Sequence, residues 1–389
     1  MGVAVEQPTV TTVENVKPGW EEWAVPRTPT PALSVTVLNY NYGHYLRECL
    51  DSVLSQTFED FEVILIDDRS TDGSLEVIRP YLKDPRVRVV AHEANRGFAS
   101  SLIEGTEAHS RGEFLTVISA DDRALDALAF ARQVKMLREN AQMSFCFTGR
   151  VRMYTSGDLL PDAAVFADDT VIPSEDALEL LIADTSVQVL HSGTIFRSSL
   201  YDTSGKYSRT IKYALDFDLW PRLSLEGPVG FCPGGLYGYR VHGDQMSHAP
   251  GTSDVILEEV LGAIDRVCLA AAERGIGDAS LKTRAVRENL FAEALDDAWS
   301  GRRRLALKRC GLAIRRRPRH ALTSPALAII AARLVLGDRG YSALHKIARG
   351  GGGPATAPHG TAAAFEARRH ARGIVPLGGP SDVALHTRH

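Results

Sequence analysis

No two of the cysteines form a C-x-x-C pair. The five (Cys49, Cys146, Cys232, Cys268 and Cys310) are odd in number and widely spaced, which argues against a zinc site or a disulfide framework. Reduced thiols in a cytosolic protein are the expectation. No G-x-G-x-x-G turn and no P-loop follows the first apolar run, so a glycine loop does not cradle phosphate here. Any phosphate must be held by metal and side chains. Positive charge is not in excess: 44 Lys and Arg stand against 48 Asp and Glu, net −4, which argues against nucleic acid as a partner. The longest apolar stretch, Ala326 to Leu336, is broken by Arg333 and is shorter than the ~20 residues a membrane-spanning helix needs. Met1 to Glu6 lacks the basic-then-apolar pattern of a signal peptide. The chain is expected to be cytoplasmic, or peripheral at the inner face of a membrane. No repeat of solenoid period is present.

A full core is available, since 44% of the 389 residues are hydrophobic. Residues 1–32 are polar and proline-rich, and 350–389 are rich in Gly, Ala, Pro and His. Both are expected to be disordered tails. Between them, strand and helix patterns alternate. Strands are predicted at 33–38, 61–66, 87–90 and 114–118. A helix is predicted to about Gln56, another carries Leu75, Ile78 and Leu82, and a third carries Leu102 and Ile103. A helix with Leu125, Leu128 and Leu137 follows, then a half-buried strand at Phe145–Thr148. Further strand-like segments lie at 187–196 and 236–241, with a helix around Trp220 between them. From about 252 the pattern is helical to about 349, with Ser253 and Asp254 as caps. The alternation predicts an α/β fold with a mostly parallel, Rossmann-like sheet flanked by helices. The expected units are 33–248, carrying the site, and a helical C-terminal part, 249–349.

Two apolar runs end in acidic pairs. Val63-Ile64-Leu65-Ile66 leads into Asp67-Asp68, and Phe114 to Ile118 leads through Ser119-Ala120 into Asp121-Asp122. In open α/β sheets ligands bind beyond the carboxyl ends of strands. Four carboxylates on two neighbouring strand tips therefore suit a hydrated divalent cation and a phosphate-bearing substrate. The bland alternatives are an Asx turn at Asp67-Asp68 and a helix-capping pair at Asp121-Asp122. Tyr40, at the end of the first strand, offers a ring for stacking on a flat base. A carboxylate at 67–68 can accept the imide N–H of a uracil-type base. In Leu215-Asp216-Phe217-Asp218-Leu219-Trp220 one carboxylate suits a general base, although acidic residues also favour helix N-termini. Pro221 is tolerated only in a first turn, so the helix is expected to start near Asp218, with Asp216 on the loop before it. His242, at a strand end, is a candidate metal ligand or a plain surface histidine.

These segments, with Ser55-Gln56-Thr57-Phe58, Asn95-Arg96-Gly97, Arg111-Gly112-Glu113-Phe114 and Tyr239-Arg240-Val241-His242, resemble the inverting glycosyltransferases of family 2, with the GT-A fold. The similarity runs from about 34 to 248. It implies transfer of a sugar from a nucleotide-diphosphate sugar, a UDP-sugar foremost, to a hydroxyl of a glycan, glycolipid or natural product. Leu38, Tyr40, Asp68, Arg96 and Asp121 would then bind the nucleotide. Asp122 and His242 would hold Mn²⁺ or Mg²⁺, Asp216 would be the base, and Asp67 turn structure. Ser119 stands where many members have an acidic residue, and Leu215 where a glutamate often precedes the base. The Q-x-x-R-W motif of processive members is absent, which implies transfer of one sugar per encounter. The alternatives are a sugar-phosphate nucleotidyltransferase and a sugar-nucleotide-binding scaffold without chemistry. The arginines between 302 and 319, next to apolar 321–336, suit an anionic membrane surface or a solvated helix face equally.

Overall fold

The computed structural model describes residues 30–162, 165–185, 187–246, 251–299 and 302–316. Residues 30–32 apart, the tails expected at 1–32 and 350–389 fall outside them, as does the apolar stretch 321–336.

The first β-branched run forms β1, Leu33–Asn39, buried throughout. β2 (Phe61–Asp67), β3 (Val87–Ala91) and β4 (Phe114–Ser119) follow, linked by α1 (Gly43–Leu54), α2 (Ser74–Ile78) and α3 (Phe98–Glu104). Their spatial order is β3-β2-β1-β4, all parallel. Helices cover both faces, which is why these strands read as continuous apolar runs. The tips of β2 and β4 are not the neighbours that the sequence predicts: they stand on either side of β1, because β1 pairs with both. Asn39 pairs with Asp67 on one edge, and Leu38 with Ser119 on the other. The chain winds outward from β2 to β3 and then crosses back past β1, which opens a crevice at that switch point.

Two helices depart from their patterns. The helix expected through Leu82 breaks into α2 and a 3-10 turn, Arg79–Lys83. Pro80 donates no amide hydrogen and clashes with the preceding turn. α3 runs into a π-helical turn, Gly105–His109. A Cβ on Gly105 would lie 2.5 Å from Thr36 Cγ2, so glycine is what lets this turn lie against β1.

Beyond β4 come β5 (Arg123–Ala124), α4 (Ala129–Glu139), β6 (Phe145–Tyr154), β7 (Leu159–Pro161), β8 (Thr170–Ile172), α5 (Ser174–Ala183), β9 (Thr194–Arg197), α6 (Ser198–Thr203), α7 (Leu215–Ser224) and β10 (Val229–Val241). β9 lies antiparallel between β4 and β6, while β6 and β10 are parallel. The sheet is therefore parallel in its first half and mixed in its second. Phe145 to Thr148 are all buried rather than half-buried, because β6 is an interior strand. The strand expected at 187–196 shrinks to β9. A turn closed by Thr194 N–H on His191 O precedes it, with Gly193 at φ 100°. The strand-like 236–241 is the second half of β10, after an irregularity between Cys232 and Tyr237.

α7 starts at Leu215, earlier than expected, and contains Pro221. One lost backbone hydrogen bond is accepted while Leu219, Trp220 and Pro221 pack inward. Asp216 therefore sits in the first helical turn, where the macrodipole favours a carboxylate.

α8 (Thr252–Glu273), α9 (Leu281–Trp299) and α10 (Arg303–Arg316) complete the described chain. Ser253 and Asp254 lie inside the first turn of α8; Gly251 takes the cap position at φ 87°. One apolar cluster runs from Ile64 and Val117 of the sheet through Trp220 to Ile264, Phe291 and Ala306. α10 is held by Arg309, only 2% exposed. Its guanidinium lies 3.0 Å from Glu293, 2.9 Å from Asp297, and against Asp254. Arg302 pairs with Asp296 and Asp297. Two arginines of the basic segment are thus engaged inside the helical region rather than offered to a membrane. Among the described residues no helix is long and apolar enough to cross one.

Breaking a buried ion pair by removing one partner costs about 3–5 kcal/mol, because a charge is left uncompensated. The Arg309→Met variant should lose stability on that scale in chemical denaturation. A loss under about 1 kcal/mol, the scale of an exposed pair, would show that the cluster does not anchor α10.

Candidate active site

The turns after β1 and β2 form one unit. Asn39 Nδ2 donates to Asp67 Oδ1 (2.7 Å) and Ser70 Oγ (3.0 Å), and Ser70 N–H donates to Asp67 Oδ2 (3.0 Å). Asn41 Oδ1 accepts from Thr71 N–H, and Asp72 Oδ2 accepts from Gly43 N–H at the start of α1. Asn41 and Arg69 are held at φ 58° and 68°, a conformation non-glycine residues keep only where the surroundings impose it. Asp67 is consumed by this lacing. Tyr40 is left 47% exposed at the end of β1.

Asp68 is buried and fully oriented. Oδ1 accepts from Arg96 N–H (2.8 Å) and His92 Nδ1 (2.7 Å), and Oδ2 from Gly97 N–H (2.8 Å). Behind it, His92 Nε2 lies 3.2 Å from Glu104 Oε2, which also takes Arg96 Nη1 at 2.8 Å. Burial works against a charged His92, but the Glu104 and Asp68 carboxylates outweigh it and raise its pKa. Hydrogen bonds from His109 and His92 hold the Glu104 carboxyl far below the usual range. The Arg96 side chain turns to Glu104; its backbone N–H is what reaches Asp68. His92 and Glu104 were not found from the sequence. His92 directly follows Ala91, which pairs with Asp67 at the tip of β2, and that position is the only signal it carried.

The second acidic pair is also buried. Asp122 Oδ1 accepts from Arg240 N–H (3.0 Å), while Arg240 Nε donates to the Asp121 carbonyl (2.8 Å) and its far end pairs with Glu48 of α1. His242 Nε2 stands 3.0 Å from Asp121 Oδ2. Burial and the Asp121 charge push the Asp122 carboxyl well above the usual range, against a hydrogen bond from Ser192. Asp121 Oδ1 is buried without a partner. A divalent cation fits this donor set: it would relieve the repulsion and satisfy the orphaned oxygen. Among the described residues no three His, Cys, Asp or Glu side chains converge as a ready-made shell. Water and phosphate oxygens would have to fill it. His242 contacts Asp121, not Asp122. Arg240 and Ser192 are further residues that sequence reasoning missed.

Asp216 and Asp218 divide sharply. Asp218 is buried and bound by Arg222 of its own helix and Arg266 of α8, each at 2.7 Å. Asp216 accepts only the Phe217 N–H (2.8 Å) among the described residues. Burial pushes it up to about 6, against that hydrogen bond. Just before α7, the N–H groups of Lys212, Tyr213 and Ala214 all donate to the Glu259 carboxylate of α8, at 2.8–3.0 Å.

One cavity of about 920 Å³ joins these groups. Leu38, Tyr40, Asp68, Asp121, Asp122 and Asp216 line it; Arg96 and His242 do not. A carboxylate-lined cavity beyond the tips of parallel strands is where an α/β sheet binds its ligand. Residues 34–188 match the family model described as glycosyl transferase family 2. Chondroitin synthase of Pasteurella multocida (strain Pm70) is 27% identical over 218 residues, which are 56% of this chain but 21% of the synthase. An uncharacterized glycosyltransferase of Haemophilus influenzae is 27% identical over 231 residues, covering 56% of this chain and 68% of that protein. The crystal structure of S. aureus TarS 1-349 in complex with UDP-GlcNAc superposes with a TM-score of 0.54 at 17% identity, covering 82% of this chain and 92% of that one. This last likeness is one of fold.

Replacing Glu104 with glutamine removes the charge that offsets the burial of His92. The His92 pKa, followed by NMR titration of its ring, should fall in the Glu104→Gln variant. An unchanged value would exclude the Glu104 contact as its cause.

Proposed function

We propose that the chain transfers one sugar from a UDP-sugar to an acceptor hydroxyl of a glycan, glycolipid or natural product, with inversion at the anomeric carbon. The observation that carries this is Asp216: a carboxyl with no ion-pair partner among the described residues, poised near 6, in the same cavity as Asp68 and the Asp121-Asp122 pair. A general base works best with a pKa near the operating pH.

The Tyr40 ring stacks on the base, and Leu38 lies beside it. Asp68 Oδ2, which carries only the Gly97 hydrogen bond, accepts the imide N–H of uracil. Asp121 and Asp122 would hold Mn²⁺ or Mg²⁺, with His242 acting through Asp121. When bound, the cation supplies positive charge to the leaving diphosphate. Asp216 takes the proton of the acceptor hydroxyl. The oxygen bonds to the anomeric carbon from the face opposite the diphosphate, the sugar–phosphate C–O bond breaks, and the nucleoside diphosphate leaves with that electron pair. The absent Q-x-x-R-W motif supports release after one transfer.

Below about pH 6 Asp216 is protonated and cannot accept. kcat/KM should therefore fall with decreasing pH through about 6 and level off above it. In Asp216→Asn, kcat should drop about 10²–10⁴-fold and lose that inflection. The raised pKa means the fold prefers the neutral carboxyl, so Asp216 costs stability as pH rises from the ordinary value of 3.8 through about 6, and the cost is constant above that. The Asp216→Asn variant should gain in Tm over wild type at pH 8 and not at pH 4. Undiminished activity in that variant would remove Asp216 from the base role.

Binding only to the folded state raises apparent stability. UDP should raise the Tm further when Mn²⁺ is present, and the Asp122→Asn variant should lose that increment. An equal Mn²⁺ increment in variant and wild type would sink the metal assignment.

A further inference from the structure

We infer that the side of the cavity walled by α8 and α9 is an acceptor subsite for a hydroxyl compound carrying an apolar aglycone, a proposal that rests on the transfer reaction above. The cavity has two unlike sides. At the strand tips it presents Tyr40, Asp68, Asp121 and Asp122; on the other it presents Ile256, Leu257 and Val260 of α8, Ala292 of α9, and Leu181 and Ile182 of α5. Asp216 lines the same cavity from α7.

The position of this wall relative to Asp216 is fixed. Glu259 of α8 binds three consecutive backbone N–H groups ahead of α7, and Arg266 of α8 binds Asp218. Two polar groups of the wall, Asn289 and Glu293, are already engaged. Asn289 Nδ2 donates to the backbone carbonyls of Ile182 and Ala285, and the Glu293 carboxylate is held by Arg309 and Ser253. A bare sugar placed there would lose hydration without recovering hydrogen bonds, whereas an apolar group would gain from burial. Small-molecule sites span about 300–1,000 Å³, so a cavity of about 920 Å³ has room beyond the donor.

The test uses the full chain saturated with UDP and measures binding of glucose, octyl β-D-glucoside below its micelle concentration, and p-nitrophenyl β-D-glucoside, by calorimetry. UDP binding is measured first and reports separately on the transfer reading. At least one glucoside should bind ten-fold or more tighter than glucose, and the tighter of the two identifies the aglycone as aliphatic or aromatic. In Val260→Asp and in the space-filling Ala292→Phe that advantage should vanish while UDP affinity stays as in wild type. Glucosides binding no better than glucose to a chain that binds UDP, or an advantage undiminished in both variants, would overturn the subsite.

Discussion

Hydrogen bonding of β1 to β2 on one edge and to β4 on the other is the constraint from which the site follows. The pairing puts Asn39 level with Asp67 and Leu38 level with Ser119. Asp68 and the Asp121-Asp122 pair then emerge on opposite sides of the β1 tip, with Tyr40 between them. A slip of one residue would turn the side chains of β1 to the other face of the sheet. The lacing of Asn39, Asp67, Ser70 and Asn41 holds the turn rigidly, so the register is carried into the loops that meet the ligand.

The two halves of the cavity are held by different means. At the strand tips, carboxylates are oriented by backbone N–H groups and histidines: Arg96, Gly97 and His92 on Asp68, Arg240 and His242 on the second pair. On the other side Asp216 has no cationic partner among the described residues, while Asp218, two residues on, is bound by two arginines. Burying charge is tolerable only with partners. Asp216, which has no ion-pair partner among the described residues, has its proton affinity raised by burial; at Asp122 burial and the neighbouring Asp121 charge act in the same direction. α8 matters to both outcomes, because Glu259 holds the segment before α7 and Arg266 neutralises Asp218. The C-terminal helices are therefore part of the site's construction, not an appendage to it.

Much of this was legible in the chain. The apolar runs and the acidic pairs at their ends announced parallel strands with a ligand crevice, because buried strands need continuous apolar sequence and carboxylates at their tips need a reason. Asp68, Asp121, Asp122 and Asp216 all line one cavity. The start of α7 is not legible, because Pro221 locally favours a first turn while tertiary packing of Trp220 and its neighbours overrides that preference. The strand expected at 187–196 survives only from Thr194 as β9, because residues 187–192 line the cavity instead of joining the ladder. The arginines of 302–309 looked like a surface face, since nothing local shows that Arg309 is buried among three carboxylates.

By itself, then, the sequence determined which segments become strands and which acidic residues end them, since periodicity and chain breaks are local properties. Only the tertiary structure decided which acid does what. Asp67 is bound into a turn, Asp68 is backed by His92 and Glu104, Asp121 keeps an orphaned oxygen, Asp218 is neutralised and Asp216 is not. Those differences come from partners far along the chain, Arg240, Arg266 and Glu259 among them, and the charge state of a buried carboxyl depends on what folding brings within a few ångströms of it.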